Sequence, residues 1–150
     1  MSAVPESTTI KILYNDCYGG FNLSDEFKAE YERRTSKKIN ICYSYASKGS
    51  DSIRTNPNAI AIFEEKGSDW CSGPSSMIKL RTIPAIFNNY WNIDECEGDE
   101  TVAVNVEGAL ADILETYIQT GDHSAMLDQY RRIKVAQHNV VSAYKEALSN

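Results

Sequence analysis

Between Thr9 and Thr35 the hydrophobic period changes from two to about 3.6 across a glycine pair, and this limits the fold more than any other feature of the chain. Ile10, Ile12 and Tyr14 alternate with Lys11 and Leu13, a strand pattern. Asn15 to Leu23 then forms a loop centred on Gly19-Gly20. Ser24 stands as an N-cap, and Asp25 and Glu26 place negative charge in the first turn of a helix. Phe27 and Tyr31 lie one turn apart on its inward face, and it ends near Thr35 among Arg33, Arg34, Lys37 and Lys38, where positive charge is favoured. A strand, a glycine turn and a capped helix in succession predict an α+β domain.

The remaining elements fit that class. Ile39 to Tyr45 is a second candidate strand, followed by a polar loop from Lys48 to Thr55. Asn56-Pro57 offers a cap and a first-turn proline for a helix ending at Gly67, with a strand around Ile60, Ile62 and Phe63 as the alternative. Ser68 to Ser76 is a loop, and Met77 to Ile83 alternates as a strand that stops at Pro84. Asn88–Asp94 and Thr101–Val106 form a hairpin around Glu97-Gly98-Asp99, so a small, mostly antiparallel meander is expected, with the first strand alongside. Leu110, Ile113, Leu114, Tyr117 and Ile118 then mark a helix capped by Asn105 and ended by Gly121. Asp122 caps a last, long helix to about Leu148, giving a C-terminal α-hairpin. In it Met126, Tyr130, Ile133, Gln137, Val140, Tyr144 and Ala147 alternate four and three apart, a seam of about three heptads. The expected organisation is a flexible lead-in over residues 1–8 and a single domain over 9–150, with 9–106 as its core and 107–150 as added helices.

Charge and cysteine use narrow the classes of function. Fifteen basic against 21 acidic residues give a net charge of −6, which disfavours phosphate backbones and anionic membranes as generic partners. No apolar run approaches bilayer-spanning length and no secretory signal opens the chain, so no membrane role is expected. Cys17, Cys42, Cys71 and Cys96 are scattered and read as reduced thiols in the cytoplasm or nucleus rather than in a secreted protein. Nine tyrosines suit half-buried surfaces and interfaces.

The run Lys11-Ile12-Leu13-Tyr14-Asn15-Asp16-Cys17-Tyr18-Gly19-Gly20-Phe21-Asn22-Leu23-Ser24 resembles the K-I-x-Y-N-x-C-Y-G-G-F-x-L-S opening of an uncharacterised family of proteins from tailed phages and giant DNA viruses, the marseillevirus group among them. Arg54 before Asn56-Pro57, Ile62-Phe63-Glu64-Glu65-Lys66-Gly67, Leu80 to Pro84, Ile93-Asp94-Glu95, and Gly98 before Glu100 and Val102 also resemble that family's layout, over roughly residues 8–106. Cys96-Glu97-Gly98 departs from its tyrosine–aspartate–glycine turn, and the helices after Val106 lie outside it. The resemblance implies a viral protein, carried in the virion or acting early in infection in the host cytoplasm or nucleus. It brings no activity, so no catalytic residue is carried over.

The candidate sites are few. Cys17 follows a strand and precedes a helix start, where backbone N–H groups favour a thiolate and an anion. Phosphatase-like loops also need an arginine six residues on, and Leu23 stands there; His123 and His138, the two histidines, are remote in sequence. Tyr18, Gly19, Gly20 and Phe21 form a possible ligand loop but lack the third glycine of a dinucleotide fingerprint and the lysine of a P-loop. The competing reading is a turn whose glycines supply positive φ. Asp94 to Glu100 holds five acids in a spacing that fails the EF-hand; it reads as a solvated hairpin tip or a surface for a basic protein tail. No zinc spacing and no Gly-x-Ser-x-Gly elbow occur, so neither a metal nor a cofactor is expected. Arg33-Arg34-x-x-Lys37-Lys38 and Arg131-Arg132-x-Lys134 are the basic groups that a nucleic-acid reading would use.

The sequence therefore favours a non-enzymatic viral protein acting through protein–protein contacts with a viral or host partner. It predicts a homodimer through Met126, Tyr130, Ile133, Gln137, Val140 and Tyr144. A Cys17-dependent enzyme and a nucleic-acid-associated factor are the alternatives.

Overall fold

A computed structural model of the protein describes residues 9–39 and 52–149, with the side chains at 140, 142–144 and 146–149 left aside. The lead-in over 1–8, Cys42 and nearly all of the strand expected over 39–45 lie outside the described residues, as does the polar loop before residue 52.

Strand β1 (Thr9–Asn15) leads through the glycine loop into helix α1 (Asp25–Thr35). The Ser24 hydroxyl accepts from the Phe27 N–H at 3.0 Å, and Ser36 closes the helix in a left-handed conformation. Helix α2 (Pro57–Lys66) begins as its cap predicts: the Asn56 side chain accepts from the N–H groups of Asn58 and Ala59. The helical reading of Ile60, Ile62 and Phe63 therefore holds over the strand alternative. The loop expected from Ser68 contains one further helical turn, α3 (Ser68–Cys71). Strands β2 (Ile78–Pro84), β3 (Trp91–Cys96) and β4 (Asp99–Val104) are followed by helices α4 (Val106–Thr120) and α5 (His123–Ser149).

The class is α+β with antiparallel strands and a C-terminal helix pair. The strands divide into two sheets, however, rather than joining in one meander: β1 pairs with β2, and β3 with β4. Pro84 has no N–H for a ladder, and Ala85–Phe87 turns as a 3-10 helix closed by Asn88 N–H to Ala85 O at 3.0 Å. That turn delays β3 to Trp91, three residues later than its pattern suggested. The β3–β4 turn is Glu97-Gly98 with φ of 52° and 90°, the left-handed pair that matches strand twist in a tight hairpin.

Contacts group the described chain into two compact units. One comprises residues 11–82 and 92–103. Its core is built from Leu13, Phe21, Leu23, Phe27, Tyr31, Ile60, Ile62, Cys71 and Ile78. Burying Phe27 alone, with no exposed surface, is worth about 2–3 kcal/mol. The other unit comprises residues 9–10, 83–91 and 104–149, in which α4 packs on α5 and α5 meets the 3-10 turn. Ile83, Phe87, Trp91, Ala109, Ile133 and Ala136 are its buried side chains. Among the described residues no helix is long and apolar enough to cross a membrane.

Candidate functional site

Two regions carry the residues singled out from the sequence. The first is the glycine loop between β1 and α1, whose surroundings centre on a buried ion pair. Arg54 and Glu100 have side chains only 1% exposed and meet in a fork: Nη1 to Oε1 at 2.8 Å and Nη2 to Oε2 at 2.7 Å. Glu100 Oε1 also accepts the Asn15 N–H at 2.9 Å, Arg54 Nη1 donates to Leu13 O at 3.2 Å, and the guanidinium lies 4.1 Å above the centre of the Phe21 ring. The Leu13 N–H in turn donates to Arg54 O at 2.8 Å. Asn15 completes the node. Its amide donates to Cys17 O and Gly98 O at 2.7 and 2.8 Å, and its carbonyl accepts the Met77 N–H at 2.8 Å.

This node explains the glycines. A Cβ on Gly98 would sit 2.4 Å from the Gly20 nitrogen, and one on Gly19 would sit 1.9 Å from Ser75 O. Gly98 and Gly19 have φ of 90° and 153°, so the hairpin turn and the loop approach backbone to backbone. Phe21 is buried beneath Arg54, whereas Tyr18 is 70% exposed. Thus Gly19, Gly20 and Phe21 are committed to packing, and Tyr18 alone of the four presents its side chain to solvent.

Cys17 sits half-exposed beside this node, its Sγ 3.4 Å from both Asn15 Oδ1 and Ser75 O. Both neighbours are oxygen acceptors, and the one S–H of a thiol can donate to either. The start of α1 is also filled: the Ser24 side chain takes the Phe27 N–H, and Asp25 and Glu26 occupy the first turn. Leu23, in place of the arginine that a phosphate loop needs, is buried and bridges to Ser72. Both histidines lie on α5. Cys71 is a core thiol whose pKa burial pushes up to about 11.

The acidic stretch is a solvated tip, as expected, at Asp94, Glu95 and Glu97, which are exposed, while Glu100 turns inward. Asp94 accepts from Asn92 Nδ2 at 2.7 Å, Glu95 accepts the Gly98 N–H at 2.5 Å, and Glu100 is the buried partner of Arg54. The basic group on α1 is similarly engaged. Glu30 holds Arg33 at 2.5 Å and Arg34 at 2.7 Å, and Arg34 reaches Glu65 on α2 at 2.6 Å. These hydrogen bonds lower the Glu30 pKa to about 2. Arg132 pairs with Asp128 at 3.1 Å. Among the described residues no group of three or more His, Cys, Asp or Glu is placed to hold a metal ion.

The second region is the α4–α5 pair. Asn105 caps α4 through the Gly108 N–H at 2.9 Å, and Asp122 caps α5 through the Ala125 N–H at 3.0 Å, as the sequence predicts. The expected dimer seam is divided by packing within the chain. Ile133 is buried, Met126 and Gln137 are half-buried, and Tyr130 is exposed; the side chains of Val140 and Tyr144 lie outside those described. On α4, Leu114 is 55% and Ile118 80% exposed, so part of the apolar pattern that marks the helix faces outward. The apolar arc of α4 is wider than α5 covers.

The sequence reading did not identify the Arg54–Glu100 pair as a site. Its signal was an acid on the apolar side of a strand, since Glu100 shares parity with Val102 and Val104 in β4. No protein-family model, curated protein or solved structure matches the chain.

Proposed function

We propose that this protein acts by protein–protein association, as a homodimer joined through the exposed apolar flank of α4 and α5. One observation carries the reading. Of seven large hydrophobic side chains exposed among the described residues, five — Leu114, Ile118, Tyr130, Val135 and Val141 — lie on these two helices. At about 100° per residue, Tyr130 and Val141 share one stripe of α5, and Leu114 and Ile118 share one of α4. A second copy is the occupant proposed because Tyr130 and Val141 stay exposed along the long α5 after α4 has packed on it, an apolar stripe of the kind that two like helices cover for each other. Ile133 serves the fold, and Tyr130 with its flanking neighbours serves the interface. The glycine loop is a structural node in this reading, and Cys17 is a thiol that packs beside it.

The likeness of the opening motif to phage and giant-virus proteins supports a viral setting, in the virion or in the host cytoplasm or nucleus, with a viral or host protein as the further partner. Size-exclusion chromatography with light scattering tests the association. The wild type is expected as a dimer and Ile118→Glu/Tyr130→Glu as a folded monomer. A variant that keeps the wild-type mass would reject this surface. Detection of the chain in purified particles, against its absence, tests the setting.

A further inference from the structure

We infer that the cleft between α4 and α5 is a binding site for an organic cation: an ammonium or guanidinium group on an apolar stem. The cleft holds about 370 Å³, within the size range of small-ligand sites. Its walls include Tyr90, Asp112, Ile113, Tyr117, Asp122 and Met126, and among the described residues no cationic side chain lines it. Two carboxylates therefore share a concave space with two aromatic rings and a methionine. That combination suits a cation with an apolar body, because ring faces attract positive charge and Met adapts to the shape of a stem.

The polar groups are fixed before any ligand arrives. The Tyr90 hydroxyl donates to Asp112 Oδ2 at 2.5 Å, and this bond raises the phenol pKa. Oδ1 of Asp112 lies outside that bond. Tyr90 is itself held, its carbonyl accepting the Asn105 N–H at 2.6 Å and its N–H donating to Phe87 O at 2.9 Å. Asp122 has one oxygen on the Ala125 N–H, which fixes its carboxylate at the head of α5. His123 packs edge-on against Tyr117 with centroids 6.0 Å apart, which orients that ring. Arg132, one turn beyond Gln129 of the cleft wall, is already paired with Asp128. The net charge of −6 adds a field of the same sign, so a cation is drawn to the cleft and an anion repelled.

On α4 the proposed dimer residues Leu114 and Ile118 lie about 130–170° from the middle of the cleft-lining arc, whereas on α5 Tyr130 stands one turn from cleft-lining Met126, so the two surfaces adjoin there. Molecular mass reads the dimer and amide shifts read the cleft, so the two proposals can fail independently.

Nitrogen-15 NMR titration of the full chain tests the site with two cationic probes, agmatine and the peptide acetyl-Gly-Arg-Gly-amide, beside the neutral citrulline peptide of the same length. The expected result is that at least one cation shifts the amides of Ile113, Thr116 and Met126, while the citrulline peptide does not. Asp112→Asn, at an exposed position, should weaken binding about ten-fold, the effect of one charge-assisted hydrogen bond. Agmatine binding alone would identify a small free organic cation as the ligand class, and peptide binding alone a basic protein tail. Silence of both cations at millimolar concentration would overturn the proposal, as would equal binding of the citrulline peptide or an Asp112→Asn affinity equal to wild type.

Discussion

Glu100→Gln changes one oxygen to an amide inside the buried node, and its cost follows from the contacts around it. In the native chain both carboxylate oxygens face Arg54 nitrogens at 2.7–2.8 Å, and Oε1 also takes the Asn15 N–H. A glutamine can keep one acceptor toward Arg54 and Asn15, but its amide then points a donor at the other Arg54 nitrogen. The guanidinium is left charged with a side chain only 1% exposed. Breaking a buried pair in this way costs about 3–5 kcal/mol. With an ordinary urea dependence near 2 kcal/mol per molar, the unfolding midpoint should fall by about 2 M. Arg54→Met should cost a similar amount, and it also removes the cation from the Phe21 ring. The double variant Arg54→Met/Glu100→Gln leaves Leu13 O without its Arg54 partner, at about 1–3 kcal/mol, but removes both charges of the pair. It should therefore lose clearly less than the sum of the two single variants. Urea unfolding of all four proteins, followed by circular dichroism, is the assay. An unchanged midpoint in Glu100→Gln, or a double variant equal to the sum, would refute a desolvated and coupled pair.

Three further outcomes follow from the same structure. Gly98→Ala places a Cβ 2.4 Å from the Gly20 nitrogen at a φ of 90° and should cost upwards of about 3 kcal/mol; Gly121→Ala, at φ 67° with nothing within 4 Å, should cost only about 1–2 kcal/mol in thermal or urea unfolding. Thiol labelling at pH 8 should modify exposed Cys96 quickly and Cys71 only on unfolding, because burial pushes the Cys71 pKa to about 11 and leaves roughly one thiolate in a thousand; rapid native labelling of Cys71 would contradict its place in the core. Glu30, with its pKa lowered to about 2 by Arg33 and Arg34, contributes stability that is present above its unfolded value of 4.5 and is lost as pH falls through about 2; a carboxyl NMR midpoint near 4.5 would show that its contacts with Arg33 and Arg34 within α1 are absent in solution.

Local signals in the sequence were sufficient wherever one residue type satisfies one backbone need. Ser24, Asn56, Asn105 and Asp122 each cap the helix that their position predicted, and Gly121 ends α4 in a left-handed conformation. The alternation of Thr9–Tyr14 and Met77–Ile83 located β1 and β2, although burial does not follow one face: adjacent Ile12 and Leu13 are both buried in β1, and Ile78 and Ile83, of opposite parity, in β2. Pairing between strands was less legible, because Pro84 and the 3-10 turn after it decide that β2 and β3 part company. The node itself was hidden by sequence distance. Asn15, Arg54 and Glu100 lie tens of residues apart, and nothing near any of them announces a partner. Leu114 and Ile118 show the opposite failure: their spacing fits a buried stripe, but α4 carries more apolar surface than its neighbour can cover.

Exposed Leu114, Ile118 and Tyr130 are the basis for association through the helix pair, and sedimentation equilibrium tests it most directly. At micromolar concentrations the wild-type chain should sediment at twice its 16.8 kDa mass, and Ile118→Glu/Tyr130→Glu at 16.8 kDa with unchanged circular dichroism. A wild-type mass of 16.8 kDa across that range would contradict the account.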